Sequence, residues 1–440
     1  MNNLPVSVIN YLSKYGLDKW TLESNCSRKF NNIVVIPAIQ EYQNIRLLLE
    51  SLLKNDKQYF EETLVMFVVN SIASSDEDVK EDNRKSLELL KEIISGKSRI
   101  ELAQKINSTG LNVGLVDASS VGLDLPEKDG GVGLARKIGM DLALKQFDFS
   151  TSSKKILVCL DADCTVEQNY LTSIVRVFHH KDIHAAYIQY EHSLPERKED
   201  KHAIICYEIF LRYYVLGLKF ADSPFAFPTI GSTMICDYDS YIRIGGMNKK
   251  KAAEDFYFME KLAKINPIYK IDSTKIYPAS RGSWRVPFGT GQRVNRFIAG
   301  THEEYVLYDP KSFEVLKKWL SVFNSKENLS ALEYLNKAKE INTTLLAFLL
   351  QNKFEDSWNK ILDNSKSDLQ IEKQKMIWFD GFRTLKLIHF LRDNEFPSIN
   401  MFDALDKMFI CCGQTPLRTD NSFPSIDLQI KYLTKLRYLS

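Results

Sequence analysis

The sequence predicts an α/β fold, a Rossmann-like and mostly parallel sheet flanked by helices, continued by a C-terminal all-helical domain. Three observations predict it. Short apolar or β-branched runs alternate with stretches of helical periodicity over residues 31–305. Each run ends in a polar or acidic cluster, at what would be the carboxyl end of a strand, where open α/β sheets bind ligands. From about Pro310 strand runs nearly vanish, glycine becomes scarce and lysine-rich helical segments take over.

The totals set the first bounds. At 440 residues the chain exceeds the size at which single cores usually stop growing, so two domains, or one large domain with an appendage, are expected. Hydrophobic residues at 44% and charged residues at 26% are ordinary for a globular protein. A net charge of +2 gives no polyanion-binding character, which argues against nucleic acid as a partner. Seven cysteines, odd in number and without a CxxC, argue against a zinc knuckle and a disulfide framework, and favour a reducing, cytoplasmic compartment. The N-terminus lacks a basic segment followed by an apolar one, so no secretion signal is expected. The most membrane-like stretch, 203–220, is interrupted by Glu208, Arg212 and Lys219. It reads as a buried or interfacial helix, which leaves peripheral membrane contact open.

Taken in order, residues 1–30 form a short helical extension, with Trp20 and Phe30 available to dock on the α/β region. The run 32–37 is the first strand, stopped by Pro37, and Ile45, Leu48, Leu49, Leu52 and Leu53 mark the first helix of the sheet. The second strand, 64–69, ends at Asn70-Ser71, and a polar loop through Asp82 leads to a helix reaching Ile94. A third strand covers 112–116. Next comes Asp129-Gly130-Gly131-Val132-Gly133-Leu134-Ala135-Arg136-Lys137, ahead of a helix over 138–144. Glycines let backbone approach a ligand, a helix N-terminus offers free N–H groups to a diphosphate, and Arg136 adds a charged fork. The plain alternative is a glycine-rich turn with solvated basic residues. The spacing completes neither a P-loop nor a GxGxxG fingerprint, which disfavours a P-loop NTPase and a simple dehydrogenase.

The fourth run, 155–163, ends in Asp161-Ala162-Asp163. Extended backbone puts residues i and i+2 on one side, and two facing acids repel unless a cation lies between them. Mg²⁺ or Mn²⁺ is the natural guest, sharing its oxygen shell with substrate phosphates. The alternative is that Asp161 ends the strand while Asp163 or Thr165 caps the helix beginning near Glu167.

A helix over 170–178 and a strand over 185–190 come next, and His179, His180 and His184 read as surface residues without metal-ligand spacing. The helix over 202–220 carries Tyr207, Phe210, Tyr213 and Tyr214, more often core than a cleft lining. After a strand over 229–236, Glu254-Asp255 opens a helix. The macrodipole alone would favour acids there; the functional alternative is a general base beside an acceptor hydroxyl. A strand over 268–276 leads to 281–293, where Arg281, Arg285 and Arg293 with three glycines describe a cationic flap. His302 is a candidate third metal ligand, weighed against an ordinary surface histidine. Beyond it, helices over 313–323, 329–350, 371–391 and 401–410 form a domain without a catalytic cluster, suited to acceptor binding, oligomer contact or protein docking.

Residues 31 to about 305 resemble a GT-A-fold glycosyltransferase of the family 2 type. Pro37-Ala38-Ile39-Gln40-Glu41 resembles the family's first-strand loop, Asp161-Ala162-Asp163 its DxD motif, Glu254-Asp255 its ED motif, and 133–139 its G-x-A-R-N-x-G segment. The resemblance implies an inverting, metal-dependent transfer of a sugar from a nucleotide-diphosphate-sugar donor to an acceptor hydroxyl. It implies Asp163 and Asp161 at the metal, with Asp161 also at the ribose. Pro37, Ala38 and Glu41 would border the nucleoside, Arg136 would help hold the donor, and Asp255 would be the base with Glu254 as its substitute; Asn70 and the flap residue Arg285 are further donor-binding candidates. Asn70-Ser71 stands where the family commonly has Asp-Asp, which leaves the nucleobase open. Two other functions compete: a catalytically silent GT-A-like binding protein and a nucleotidyltransferase on a similar fold.

Overall fold

A computed structural model describes residues 4–280, 282, 289–420 and 422–440. The chain forms two compact units, one from residues 4–193 and 229–280, the other from 194–228 and 289–440.

Along the chain, α1 (Val6–Tyr15) precedes β1 (Leu22–Ser24), β2 (Asn32–Ala38), α2 (Tyr42–Leu52), β3 (Thr63–Asn70), α3 (Glu77–Ser95), α4 (Glu101–Thr109), β4 (Asn112–Ala118) and α5 (Val132–Leu144). Then come β5 (Ile156–Cys159), β6 (Thr165–Val166), α6 (Tyr170–His180), β7 (Ala185–Tyr190), α7 (Lys198–Phe220), β8 (Met234–Asp237), α8 (Tyr238–Arg243), α9 (Glu254–Ala263), β9 (Ile268–Tyr277) and α10 (Thr290–Ala299).

In the first unit the strands form one sheet in the order β1-β4-β3-β2-β5-β8-β7-β9-β6. Its centre, β4-β3-β2-β5, is parallel, as is the β7-β9 pair. β8 runs antiparallel between β5 and β7, and β1 and β6 are antiparallel edges. β2 and β3 are buried at every position, which is why they read as unbroken apolar runs rather than alternating ones. α5 lies flat on them because Gly139 has no side chain: a β-carbon there would meet Val35 and Val68.

Three sequence expectations shift. The extension is not purely helical, since Leu22–Ser24 pairs antiparallel with β4, while Trp20 is buried and donates from Nε1 to the Leu123 carbonyl at 2.6 Å. α5 begins at Val132, so Arg136 sits on a helix and not in a turn. The fourth strand stops at Cys159, and a turn closed by Cys164 N–H donating to the Asp161 carbonyl at 3.1 Å carries the acids.

The second unit is helical: α7 and α10 are joined by β10 (Val306–Leu307), α11 (Pro310–Phe323), α12 (Ala331–Ile341), α13 (Thr343–Gln351), α14 (Phe354–Asn364), α15 (Asp368–Trp378), α16 (Gly381–Asn394), β11 (Ile399–Asn400), α17 (Met401–Cys411) and α18 (Ile426–Leu439). Side-chain caps explain why the long periodic runs break into short helices. Asn342 accepts from Leu345 N–H and so separates α12 from α13, and Asp380 accepts from Arg383 N–H to start α16. Trp319, Phe323, Tyr334, Phe354 and Trp358 form the aromatic centre of this unit.

α7, placed by its sequence position inside the α/β region, packs with these C-terminal helices. Its Tyr213 hydroxyl donates to the Tyr308 carbonyl at 2.6 Å, and its buried Glu208 accepts from Arg212 at 2.7 Å and from Arg437 at 2.8 Å. Gly217 admits the Phe313 ring where a β-carbon would stand. Gly217→Ala is therefore expected to cost about 1–3 kcal/mol by overpacking, read as a lower urea midpoint. Among the described residues no helix is long and apolar enough to cross a membrane.

Candidate active site

The chemistry-bearing residues of the first unit gather at the carboxyl ends of β2, β3, β4 and β5 and at the start of α9. Pro37 and Ala38 finish β2, and Gln40 adopts a left-handed φ of 55°, a conformation costly for a residue with a β-carbon. What holds it there is Asn83 of α3, 1% exposed, whose Oδ1 accepts from Gln40 N–H at 2.9 Å. Asn83 Nδ2 also donates to the Asn70 carbonyl and to Ser119 Oγ, both at 3.0 Å. One buried amide thus ties the ends of three strands together.

Sequence reading missed Asn83. Its signal was an uncharged amide four residues before Leu87, on the apolar face of a helix. Asn70 is itself buried, and its Nδ2 donates to the Ala38 and Val68 carbonyls at 3.1 Å each. The first of these bonds joins β3 to β2. Glu41 is buried and accepts from Asn44 Nδ2.

Arg136 organises the other half of the site. It is 2% exposed, and its two terminal nitrogens pair with Asp161 and with Glu254. A lone buried guanidinium would be costly, and two carboxylates offset that cost. The sequence separation of the partners hid the triad: it joins α5 to the turn after β5 and to the first residue of α9. Glycines make room for it. A β-carbon on Gly231 would meet the Arg136 guanidinium, and one on Gly133 would meet the Lys250 and Asn248 carbonyls and the Glu254 side chain.

Asp161 and Asp163 are half-buried, whereas Ala162 and Cys164 between and after them are buried. Neither acid caps a helix, because α6 starts at Tyr170 with Asn169 at its cap position. The neighbouring thiols are unsuited to nucleophilic work, since burial pushes Cys159 up to about 12 and holds Cys164 well above the ordinary thiol range. Half-buried carboxylate oxygens are the right donors for a hard cation, which completes its shell with water and phosphate. Among the described residues no three His, Cys, Asp or Glu side chains come together as a metal-holding group. His302 belongs to the second unit, where it is exposed and its Nδ1 lies 3.0 Å from Thr301 Oγ1. Arg285 lies outside the described residues.

α9 begins with Glu254 and Asp255, and the residue before them, Ala253, has a left-handed φ of 59°. Asn248 secures that turn, its Nδ2 donating to the Glu254 carbonyl at 2.9 Å. Strain of this kind persists only where neighbours overdetermine the backbone. Ala253→Gly is expected to leave stability unchanged or raise it by about 1 kcal/mol, measured by urea unfolding; a loss above about 1 kcal/mol would contradict it. Glu254 is buried, and burial raises its carboxyl above the ordinary range while Arg136 opposes the rise. Asp255 Oδ1 accepts from Phe256 N–H at 2.7 Å. Burial, then the Glu254 charge, pushes Asp255 up to about 7, against an opposing pull from Arg136. A carboxyl tuned to neutrality is matched to proton transfer at physiological pH.

No protein-family model matches the chain, and no curated protein matches it. Among solved structures it is similar to residues 1–349 of TarS from S. aureus at 12% identity and TM-score 0.38, over 80% of this chain and 91% of that one. The same protein in complex with UDP-GlcNAc is similar at 13% identity and TM-score 0.38, over 93% and 92% of the two chains. The mannosyltransferase PcManGT from Pyrobaculum calidifontis, in complex with GDP-Man and Mn²⁺, is similar at 13% identity and TM-score 0.35, over 88% of this chain and 95% of that one.

Proposed function

We propose that the chain is a metal-dependent, inverting glycosyltransferase that moves a sugar from a nucleotide-diphosphate-sugar donor to an acceptor hydroxyl, and that it works in the cytoplasm. The observation that carries this reading is the pairing of two carboxylate clusters of opposite chemical character through Arg136. Asp161 and Asp163 are half-buried oxygen donors, and Asp255 is a carboxyl poised near neutrality.

In this reading Asp163, with Asp161, would hold Mg²⁺ or Mn²⁺ where the donor diphosphate binds. The bound cation would offset charge on the departing nucleoside diphosphate. Pro37, Ala38 and Glu41 border the nucleoside at the β2 end, where Asn83 fixes the loop. Asp255, with Oδ1 engaged by Phe256 N–H, takes the proton of the incoming hydroxyl on Oδ2. That deprotonation strengthens the attack on the face of the sugar opposite the leaving group, which inverts the anomeric centre.

A thermal-shift panel of UDP-, GDP-, ADP- and dTDP-sugars with and without Mn²⁺ tests the reading. One donor class should raise Tm only when Mn²⁺ is present, since a ligand that binds the folded state stabilises it by mass action. No shift with any donor at millimolar concentration would count against it. The rival reading, a donor-binding protein without turnover, draws on Asn70, whose amide protons are spent on backbone rather than offered to a base. Release of nucleoside diphosphate that requires both Mn²⁺ and Asp255 would eliminate it. Pyrophosphate release from a nucleoside triphosphate would instead identify nucleotidyl transfer.

A further inference from the structure

We propose that Arg136 and Glu254 are positioning residues: the buried guanidinium, clamped between Asp161 and Glu254, sets the placement of Asp255 relative to the acids of the β5–β6 turn. The inference rests on the function proposed above. It gives Arg136 a role other than gripping the donor, and Glu254 a role other than that of substitute base.

The geometry supports it in four ways. Arg136 is 2% exposed and both of its terminal nitrogens are committed to carboxylates of this chain, so it presents no fork to a ligand. Glu254 is 4% exposed and is the residue directly before Asp255, so whatever fixes Glu254 fixes the first turn of α9. Gly231 leaves space for the Arg136 guanidinium, and Gly133 for the 248–250 backbone and the Glu254 side chain. Asn248 and the left-handed Ala253 hold the backbone of the same turn from its other side. A salt bridge buried this deeply contributes little net stability, which makes it a costly device unless it fixes a geometry. Displacement of a reacting group by about 1 Å can lower a rate about 10²-fold.

The experiment compares Glu254→Gln, Arg136→Lys, Gly231→Ala, Arg136→Gln and the Arg136→Gln/Glu254→Gln double variant in the full chain. Binding of Mn²⁺-UDP and Mn²⁺-GDP is followed by calorimetry, and turnover with the donor class that the thermal-shift panel selects. Glu254→Gln and Gly231→Ala are expected to keep nucleoside diphosphate affinity within about 3-fold while kcat falls about 10²-fold. In Glu254→Gln the acid limb of kcat also moves to lower pH, because a negative neighbour of Asp255 is gone while Arg136 and Asp161 stay. Arg136→Lys, which keeps the charge but not the two-pronged geometry, is expected to recover only part of the rate that Arg136→Gln loses. The double variant is expected to melt above Arg136→Gln, because it also removes the buried Glu254 charge that Arg136→Gln leaves unpaired, while half-buried Asp161 has lost its counter-charge in both.

A loss of Mn²⁺-nucleoside diphosphate affinity above about 30-fold in Arg136→Lys, with Glu254→Gln unaffected, would make Arg136 a donor ligand and overturn the proposal. Full kcat in Glu254→Gln would overturn it as well. Failure of the glycosyltransferase reading looks different: the wild-type chain would then release no nucleoside diphosphate from any sugar donor, while the double variant would still melt above Arg136→Gln.

Discussion

Asp255→Asn is expected to lower transfer by about 10²–10⁴-fold and, at the same time, to make the first unit more stable above pH 7. Both effects come from one property. The folded protein holds the Asp255 proton up to about pH 7, whereas the ordinary value of the group is 3.8. Folding therefore takes up a proton between those two values, and stability falls as pH rises through that window. Below about pH 4 the carboxyl is neutral in both states and costs nothing; above about pH 7 the full cost of this half-buried charge is present. Asparagine carries no charge at any pH. Its gain should be absent near pH 4, grow through pH 5–7 and level off at about 1–3 kcal/mol, after allowance for solvent screening. For a unit of this size that is a Tm rise of several degrees at pH 8. Wild-type kcat/KM should show an acid limb near pH 7, which Asp255→Asn abolishes together with the rate. A Tm for Asp255→Asn below wild type at pH 8 would mean that the carboxylate is stabilised in a way the structure does not contain.

Asp163→Asn is the second large effect, and its contrast with Asp161→Asn makes it informative. Both acids lie in the turn after β5, half-buried and two residues apart. Asp161 is one of the two counter-charges of buried Arg136, so Asp161→Asn should cost about 1–3 kcal/mol of folding stability. Asp163 is not one of the two counter-charges of Arg136, so Asp163→Asn should cost less stability in urea than Asp161→Asn. It should nevertheless remove the Mn²⁺-dependent thermal shift with the donor and lower transfer by about 10²–10³-fold. Chelation of the metal from wild type should reproduce the loss of transfer without altering the apo melting curve. An Asp163→Asn variant that keeps Mn²⁺-dependent turnover would move the cation elsewhere.

Much of the α/β organisation was legible in the sequence because burial on both faces forces a recognisable composition. β2 and β3 are wholly buried for that reason read as apolar runs, and β7 matches its expected span of 185–190. Boundaries were less legible where a residue type serves two structures. Glycines 130, 131 and 133 read as a loop, yet Gly133 lies inside α5 and is small because the loop over 248–250 and Glu254 press on it. The run over 329–350 read as one helix, because nothing in apolar periodicity registers the cap formed by Asn342. β1 is three residues long and half-exposed, too short for a periodic signal.

The acids of the site show where the division lies. The sequence alone determined that carboxylates stand at the end of an apolar run, that a second acidic pair opens a helix, and that an arginine comes after a glycine cluster, since these are statements about residue types and local spacing. That Arg136 joins Asp161 to Glu254, that Asn83 ties three strand ends together, and that Asp255 is held near neutrality were decided only by tertiary structure. The physical reason is range. Periodicity and capping act over one or two turns of chain, whereas ion pairing and desolvation depend on which groups folding brings within a few ångströms and on how much water it removes from around them.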